Sequence, residues 1–208
     1  MTQAFSGQLA ALHLLCRTAL MAALMAAGAL FHLSLGPVPF TLQDMFVALA
    51  GLVLGPRHGP YAVGLYILAG CAGLPVFSGG RAGLGHLIGP TGGYLAGFML
   101  LAFCSGLGGR LAAAKSGQAA EKSASATTKN GRAAKDSLRA LWPALAWTVC
   151  GWALMYAAGA SWLMWTMNLS SFQGLSLGVL PFLPAAAIKL PLCLLLWRAL
   201  RRRELLPG

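Results

Sequence analysis

Long apolar segments, broken by glycine and proline, constrain this chain more than any other feature. The first runs from Leu12 to Leu35. Phe40–Gly55 and Gly59–Gly73 follow, on either side of Gly55-Pro56-Arg57-His58-Gly59-Pro60. Three more lie at about Gly92–Ala113, Leu138–Trp165 and Leu180–Leu200. A helix needs about 20 apolar residues to cross a bilayer, and lipid tolerates little backbone that is not helical. The expectation is an all-α integral membrane protein with six transmembrane helices. Residues 1–208 then form a single membrane domain, with helices 1–4 in 12–113 and helices 5–6 in 138–200. Composition closes off the main alternative. Charged residues make up 9% of the chain and hydrophobic residues 58%, where a soluble domain carries about 25% charged. So few charges do not coat a water-facing enzyme.

The breaks carry as much information as the runs. The segments 40–55 and 59–73 are short for a crossing, and short Gly/Pro-interrupted segments mark binding regions in membrane proteins. Between Leu74 and Tyr94 the chain is rich in glycine and poor in charge. It reads as a structured extracellular loop between helices 3 and 4. Residues 114–137 hold Lys, Ala, Ser, Thr and Gly but no aromatic residue, the composition of a disordered cytoplasmic linker. Residues 201–208 read as a basic cytoplasmic tail.

The net charge is +11. Nucleic-acid binding would need those charges on an aromatic-studded face, and their layout supplies none. Lys and Arg instead collect on the cytoplasmic side of membrane proteins. With both termini cytoplasmic and six crossings, all but Arg81 and Lys189 of the 15 Lys and Arg fall inside. Four crossings, with 40–73 as a re-entrant hairpin, give a similar balance. The cysteines and histidines are scattered without ligand spacing, so neither a metal nor a disulfide is expected. No carboxylate pair or activated nucleophile stands out, and no catalytic residue or cofactor is assigned.

Two features point to binding. Lys189 is the lone charge in an otherwise apolar stretch, and a charge at the centre of a membrane helix costs at least about 2.5–3.5 kcal/mol. At ~1.5 Å per residue it lies roughly 12 Å along from Pro181, at the floor of a pocket open to the outside. A snorkelling lysine is the alternative. Ala19, Ala23 and Ala27 form a small-residue stripe that lets another helix pack closely. It serves either internal packing or docking.

Four motifs in order are similar to those of one family: Pro37-Val38-Pro39-Phe40-Thr41-Leu42-Gln43; Gly73-Leu74-Pro75-Val76-Phe77 with Gly79-Gly80; Gly89-Pro90-Thr91-Gly92-Gly93-Tyr94; and Pro181-Phe182-Leu183-Pro184 with Lys189 downstream. The chain resembles the BioY family, the biotin-specific S components of energy-coupling-factor (ECF) vitamin transporters, over roughly 12–113 and 139–200. The resemblance implies biotin capture on the outer face of the cytoplasmic membrane. It implies two partners, a transmembrane coupling protein and a cytoplasmic ATPase pair, with the stripe Ala19, Ala23 and Ala27 as the docking surface. An S component for a related vitamin or biotin precursor, or an intramembrane enzyme, is the alternative function. The sequence departs from the family at one place. The usual Pro-Gly-Asp-x-x-Lys reads Pro184-Ala185-Ala186-Ala187-Ile188-Lys189, with Ala186 where the acid stands.

Biotin carries a ureido head, an apolar ring and a carboxylate. Lys189 is the expected partner of the ureido oxygen or the carboxylate, and Arg81 of the carboxylate. Gln43 and Thr41 offer neutral hydrogen bonds, and Tyr94 and Phe77 pack on the ring. Asp44 is the one acid on the outer half and the candidate counter-charge of Lys189. The alternative for Asp44 is a solvated acid at a helix start.

Overall fold

A chain this apolar satisfies its backbone within helices, and several of the non-helical stretches among the described residues contain glycine or proline. The computed structural model describes residues 2–33, 37–125 and 141–202. Helix α1 spans Thr2–Leu30, α2 Gln43–Cys71, α3 Gly85–Ile88, α4 Gly92–Ser125, α5 Trp142–Met167, α6 Ser171–Gly178 and α7 Leu183–Arg202, with a 3₁₀ turn at Leu180–Phe182 before α7. Two short strands, β1 His32–Leu33 and β2 Phe40–Thr41, pair antiparallel between α1 and α2, His32 opposite Thr41.

Helix α2 is a hairpin of two helical arms. Gly55 breaks it with φ 80° and ψ 178°, a conformation that a side chain disfavours. Pro56 follows and cannot donate to the ladder. Residues eight apart on a straight helix lie roughly 12 Å from each other. Here a Cβ on Gly59 would stand 2.8 Å from the Gly51 Cα, so the arms fold back until their backbones touch. The corner rests on α4, where a Cβ on Gly106 would meet the Gly55 carbonyl carbon at 2.5 Å.

Helix α4 lies between α2 and α5, α1 packs outside α2, and α7 bridges α2 and α5. The core between them holds Met25, Val47, Leu49, Val63, Leu101 and Leu163. Leu20, Leu68, Phe103, Trp165 and Leu195 are exposed. Large apolar side chains outside a packed core suit a lipid environment. Four stretches among the described residues are long and apolar enough to span a membrane: Gly7–Leu30, Gly92–Ser116, Trp142–Met167 and Ser171–Arg201. The arms of α2 are each shorter.

Three expectations about boundaries change. Helix α4 runs on through 114–125, the first half of the expected linker. Ala, Lys, Gln and Glu, which make up much of that stretch, are good helix formers; the rest of the linker, 126–137, and most of the basic tail lie outside the described residues. Helix α6 was not foreseen. Its start has a local cause: the Ser170 side chain accepts from the Gln173 N–H, and the Gln173 side chain accepts from the Ser170 N–H, a capping box. The glycine-rich segment also contains the short α3. It is tied down by Gly83 N–H donating to Gly70 O at 2.8 Å and Tyr66 Oη donating to Val76 O at 3.0 Å.

Candidate functional site

Lys189 does not snorkel. It is 5% exposed, and its Nζ donates to the Thr41 carbonyl at 2.6 Å and to Asp44 Oδ1 at 2.7 Å. The ammonium also sits 4.2 Å from the centroid of the Phe40 ring, close enough for a cation–π contact. Sequence order explains how these groups converge. Strand β2 places Phe40 and Thr41 at the start of α2, which puts Asp44 in the first turn. The 3₁₀ turn and α7 then bring Lys189 against them from a distance of 145 residues in sequence. Asp44 is not solvated: it is 6% exposed and is held in the ion pair. Leaving either charge alone would strand the other in low dielectric, at a cost of about 3–5 kcal/mol.

Above this pair lies a cavity of about 60 Å³. Of the sequence-predicted site residues, Thr41, Gln43, Asp44, Tyr94 and Lys189 line it. Thr41 meets Lys189 through its carbonyl rather than its hydroxyl. Tyr94 stands at the wall with its hydroxyl donating to Gly178 O at 2.7 Å, which fixes the ring. Phe77 and Arg81 do not line this cavity. Phe77 is fully buried behind it, in the gap that Gly70 leaves, with its ring stacked 4.8 Å from His86. Arg81 is exposed and lines a neighbouring vestibule of about 460 Å³ with Pro37, His86 and Thr91.

Sequence reasoning missed Tyr66, Ser78, His86, Tyr156 and Phe182, which also line the cavity. Ser78 and His86 lie in the glycine-rich segment already singled out; Tyr66 and Tyr156 sit in apolar helices where nothing marks them. Phe182 stacks on Phe40 at 6.1 Å and meets Tyr156 at 6.2 Å, an aromatic wall beside the ammonium. His86 and Thr91 line both chambers and are joined at 3.2 Å. Burial, with the Arg81 charge adding to it, holds His86 below the ordinary histidine value of 6.5. Its imidazole is therefore neutral at pH 7.

Two polar groups at the cavity have no protein partner. Gln43 Nε2 and Ser78 Oγ are buried without a hydrogen bond, and Lys189 uses two of its three N–H donors on Thr41 and Asp44. Unsatisfied donors cost about 1–3 kcal/mol each when buried. Gathered around one apolar cavity, they suit a small ligand with hydrogen-bond acceptors. Among the described residues no group of His, Cys, Asp and Glu could hold a metal ion. The stripe Ala19, Ala23 and Ala27 lies elsewhere, exposed along α1, while Met21, Ala22 and Met25 on the other face are buried.

Fold and site together define a multi-pass helical membrane protein with a small, mostly apolar cavity built over one buried ion pair. The chain belongs to the BioY family, whose model matches residues 1–205. A Thermotoga maritima protein named biotin transporter BioY is 50% identical over 93 residues, 45% of this chain and 55% of its own length. A Rhizobium etli protein of the same name is 49% identical over 92 residues, 43% of this chain and 49% of its own. The matched stretch thus spans about half the length of these relatives. The crystal structure of an S-component for biotin from an ECF-type ABC transporter superposes with a TM-score of 0.71 at 27% identity, over 91% of this chain and 90% of that one.

Proposed function

We propose that this chain is the substrate-binding subunit of an ECF-type transporter and captures biotin for uptake across the cytoplasmic membrane. The observation that carries the reading is the buried Lys189–Asp44 pair beneath an apolar cavity, in a family whose solved relative is described as the S-component for biotin. The free N–H of Lys189 and Gln43 Nε2 face acceptors such as a ureido oxygen, and Asp44 accepts from ureido N–H groups. Phe182 and Tyr156 pack against the thioether ring. The inner cavity alone is smaller than the roughly 300 Å³ at which small-molecule sites begin. The vestibule shares His86 and Thr91 with it, so the valerate chain passes that waist and its carboxylate reaches Arg81, whose guanidinium fork suits it. No group in the site is asked to make or break a covalent bond; the work is recognition.

Both termini are cytoplasmic in this reading, and α1, the two arms of α2, α4, α5 and α7 are the six crossings. The glycine-rich segment caps the pocket from outside. The exposed Ala19, Ala23 and Ala27 stripe receives the coupling protein, which joins the subunit to its ATPase pair. Equilibrium binding of labelled biotin to the purified protein tests the core of the proposal. Lys189→Ala should weaken it about tenfold or more, since a hydrogen bond to a charged group contributes roughly 1.5–3 kcal/mol. Wild-type affinity in a folded Lys189→Ala protein would remove Lys189 from the site, and absence of any biotin binding would overturn the function itself.

A further inference from the structure

The far end of the molecule holds a second cavity, and nothing in biotin capture uses it. Its volume is about 380 Å³, and its walls come from both arms of α2, from α4 and from α7. Three arginines, Arg57, Arg110 and Arg201, line it with His58. The positions of these residues set its place. Lys189 and Arg201 lie roughly 18 Å apart along α7, and Tyr94 and Arg110 roughly 24 Å apart along α4, at ~1.5 Å per residue. The two cavities therefore open at opposite ends of the bundle, and this one lies at the basic end.

We propose that this cavity binds the phosphate of an anionic membrane lipid. Three arginines line it, and among the described residues no acidic residue does. Cations around one cavity repel one another, and an anion among them relieves that repulsion. Arginine is the side chain best shaped for phosphate, because its fork binds two oxygens at once. Arg201 is already oriented, its guanidinium carbon 5.1 Å from the Trp197 ring. Trp197 also lines the cavity and is 1% exposed, with its indole N–H buried and without an acceptor. A basic pocket whose described lining carries no acid calls for an anion.

Three features favour a lipid over a soluble phosphate. Leu52, Val53, Leu54 and Ala113 make part of the lining apolar, as a glycerol backbone and the start of an acyl chain require. Exposed Tyr61 and Leu111 flank the basic residues His58 and Arg110, against which a chain would lie. Trp142 is exposed at the start of α5, and Pro143 and Trp147 there touch α4 at Gly108, two residues before Arg110. Tryptophan concentrates at the level of the headgroups. Basic pockets between membrane helices at that level bind anionic headgroups.

The experiment counts lipid retained by the purified full chain, by native mass spectrometry, after exchange into micelles that contain phosphatidylglycerol or phosphatidylcholine. Wild type should keep phosphatidylglycerol and not phosphatidylcholine. The triple variant Arg57→Gln, Arg110→Gln, Arg201→Gln should keep about tenfold less, as expected when charge-assisted contacts are lost. Ala113→Trp leaves every charge in place but fills the cavity, and it too should release the lipid. Biotin binding at the other end reports that each variant is folded. Should a variant fail to fold, wild-type selectivity and displacement by inorganic phosphate still decide the matter. Equal retention of both lipids, or full retention by Ala113→Trp, would overturn the proposal. Complete displacement by millimolar inorganic phosphate would show a free-phosphate site and overturn the lipid assignment.

Discussion

At the scale of single residues, Lys189 and Asp44 decide the site. A lysine in an apolar helix announces itself in the sequence, because its burial is unfavourable without a partner. Its partner was legible only by elimination, as the one acid on the outer half. The structure joins them at 2.7 Å. Arg81 was equally conspicuous as a lone outer cation, yet it stands in the vestibule, because a charge in a loop has no burial to constrain it. Tyr66 and Tyr156 gave no signal, since an aromatic in an apolar helix looks the same whether it faces a pocket or the core. The pairing predicts a specific energetic pattern. Asp44→Asn, Lys189→Ala and the double variant, titrated with biotin, should give a coupling of at least about 0.5 kcal/mol. Ala186 precedes Lys189 by three residues, on the same face of α7. Ala186→Asp in the Asp44→Asn background should therefore recover part of the lost affinity. Additive single effects would mean that the two side chains meet without cooperating in binding.

At the scale of elements, the hairpin α2 and the helix α1 lend themselves to separate tests. The glycines and prolines from Gly55 to Pro60 marked a break in the sequence, but the contact of Gly51 with Gly59 depends on arms that fold together, which no local pattern states. Their backbones touch, so a side chain at Gly59 has nowhere to go. Gly59→Leu should destabilise the protein by about 1–3 kcal/mol or more and weaken biotin binding by splaying the arm that carries Asp44. Gly64, on the second arm with Gly59, has open space around it. Gly64→Leu should leave both thermal stability and binding near wild type, and equal damage from the two variants would mean that the close approach is not what matters. The alanine stripe behaves differently. Its exposure removes internal packing as its role, and small residues on an outer face allow a partner helix to come close. Ala19→Trp and Ala23→Trp should abolish ATP-driven uptake in cells that carry the coupling protein and ATPases. Biotin binding by the isolated chain should persist, and loss of that binding with intact assembly would place the stripe inside the fold.

At the scale of the whole molecule, charge and geometry bear on the same threading. The sequence placed nearly all Lys and Arg on one side but left six crossings and four nearly indistinguishable, because the arms of α2 are short. The fold adds a measure that composition lacks. The corner of α2 at Gly55–His58 shares a cavity with Arg110 of α4 and Arg201 of α7, so it lies level with the basic end of α7 and with Arg110 on α4. A re-entrant hairpin that turned back inside the bilayer would leave its corner short of them. The opposite ends of the arms, at Asp44 and Tyr66, reach the cavity that holds Lys189. At ~1.5 Å per residue the arm Gln43–Leu54 is roughly 18 Å long, short of the ~30 Å hydrocarbon core, so six crossings require β2 at one end and the Pro-Arg-His corner at the other to make up the rest. The prediction is a labelling pattern. In a chain whose five native cysteines are replaced by alanine, His58→Cys should react with a membrane-impermeant maleimide in inverted vesicles and not in intact cells. Arg81→Cys should react in intact cells and not in inverted vesicles, with biotin retention serving as the check on folding. If His58→Cys reacts from outside, or Arg81→Cys reacts from inside, six crossings with cytoplasmic termini cannot describe this protein.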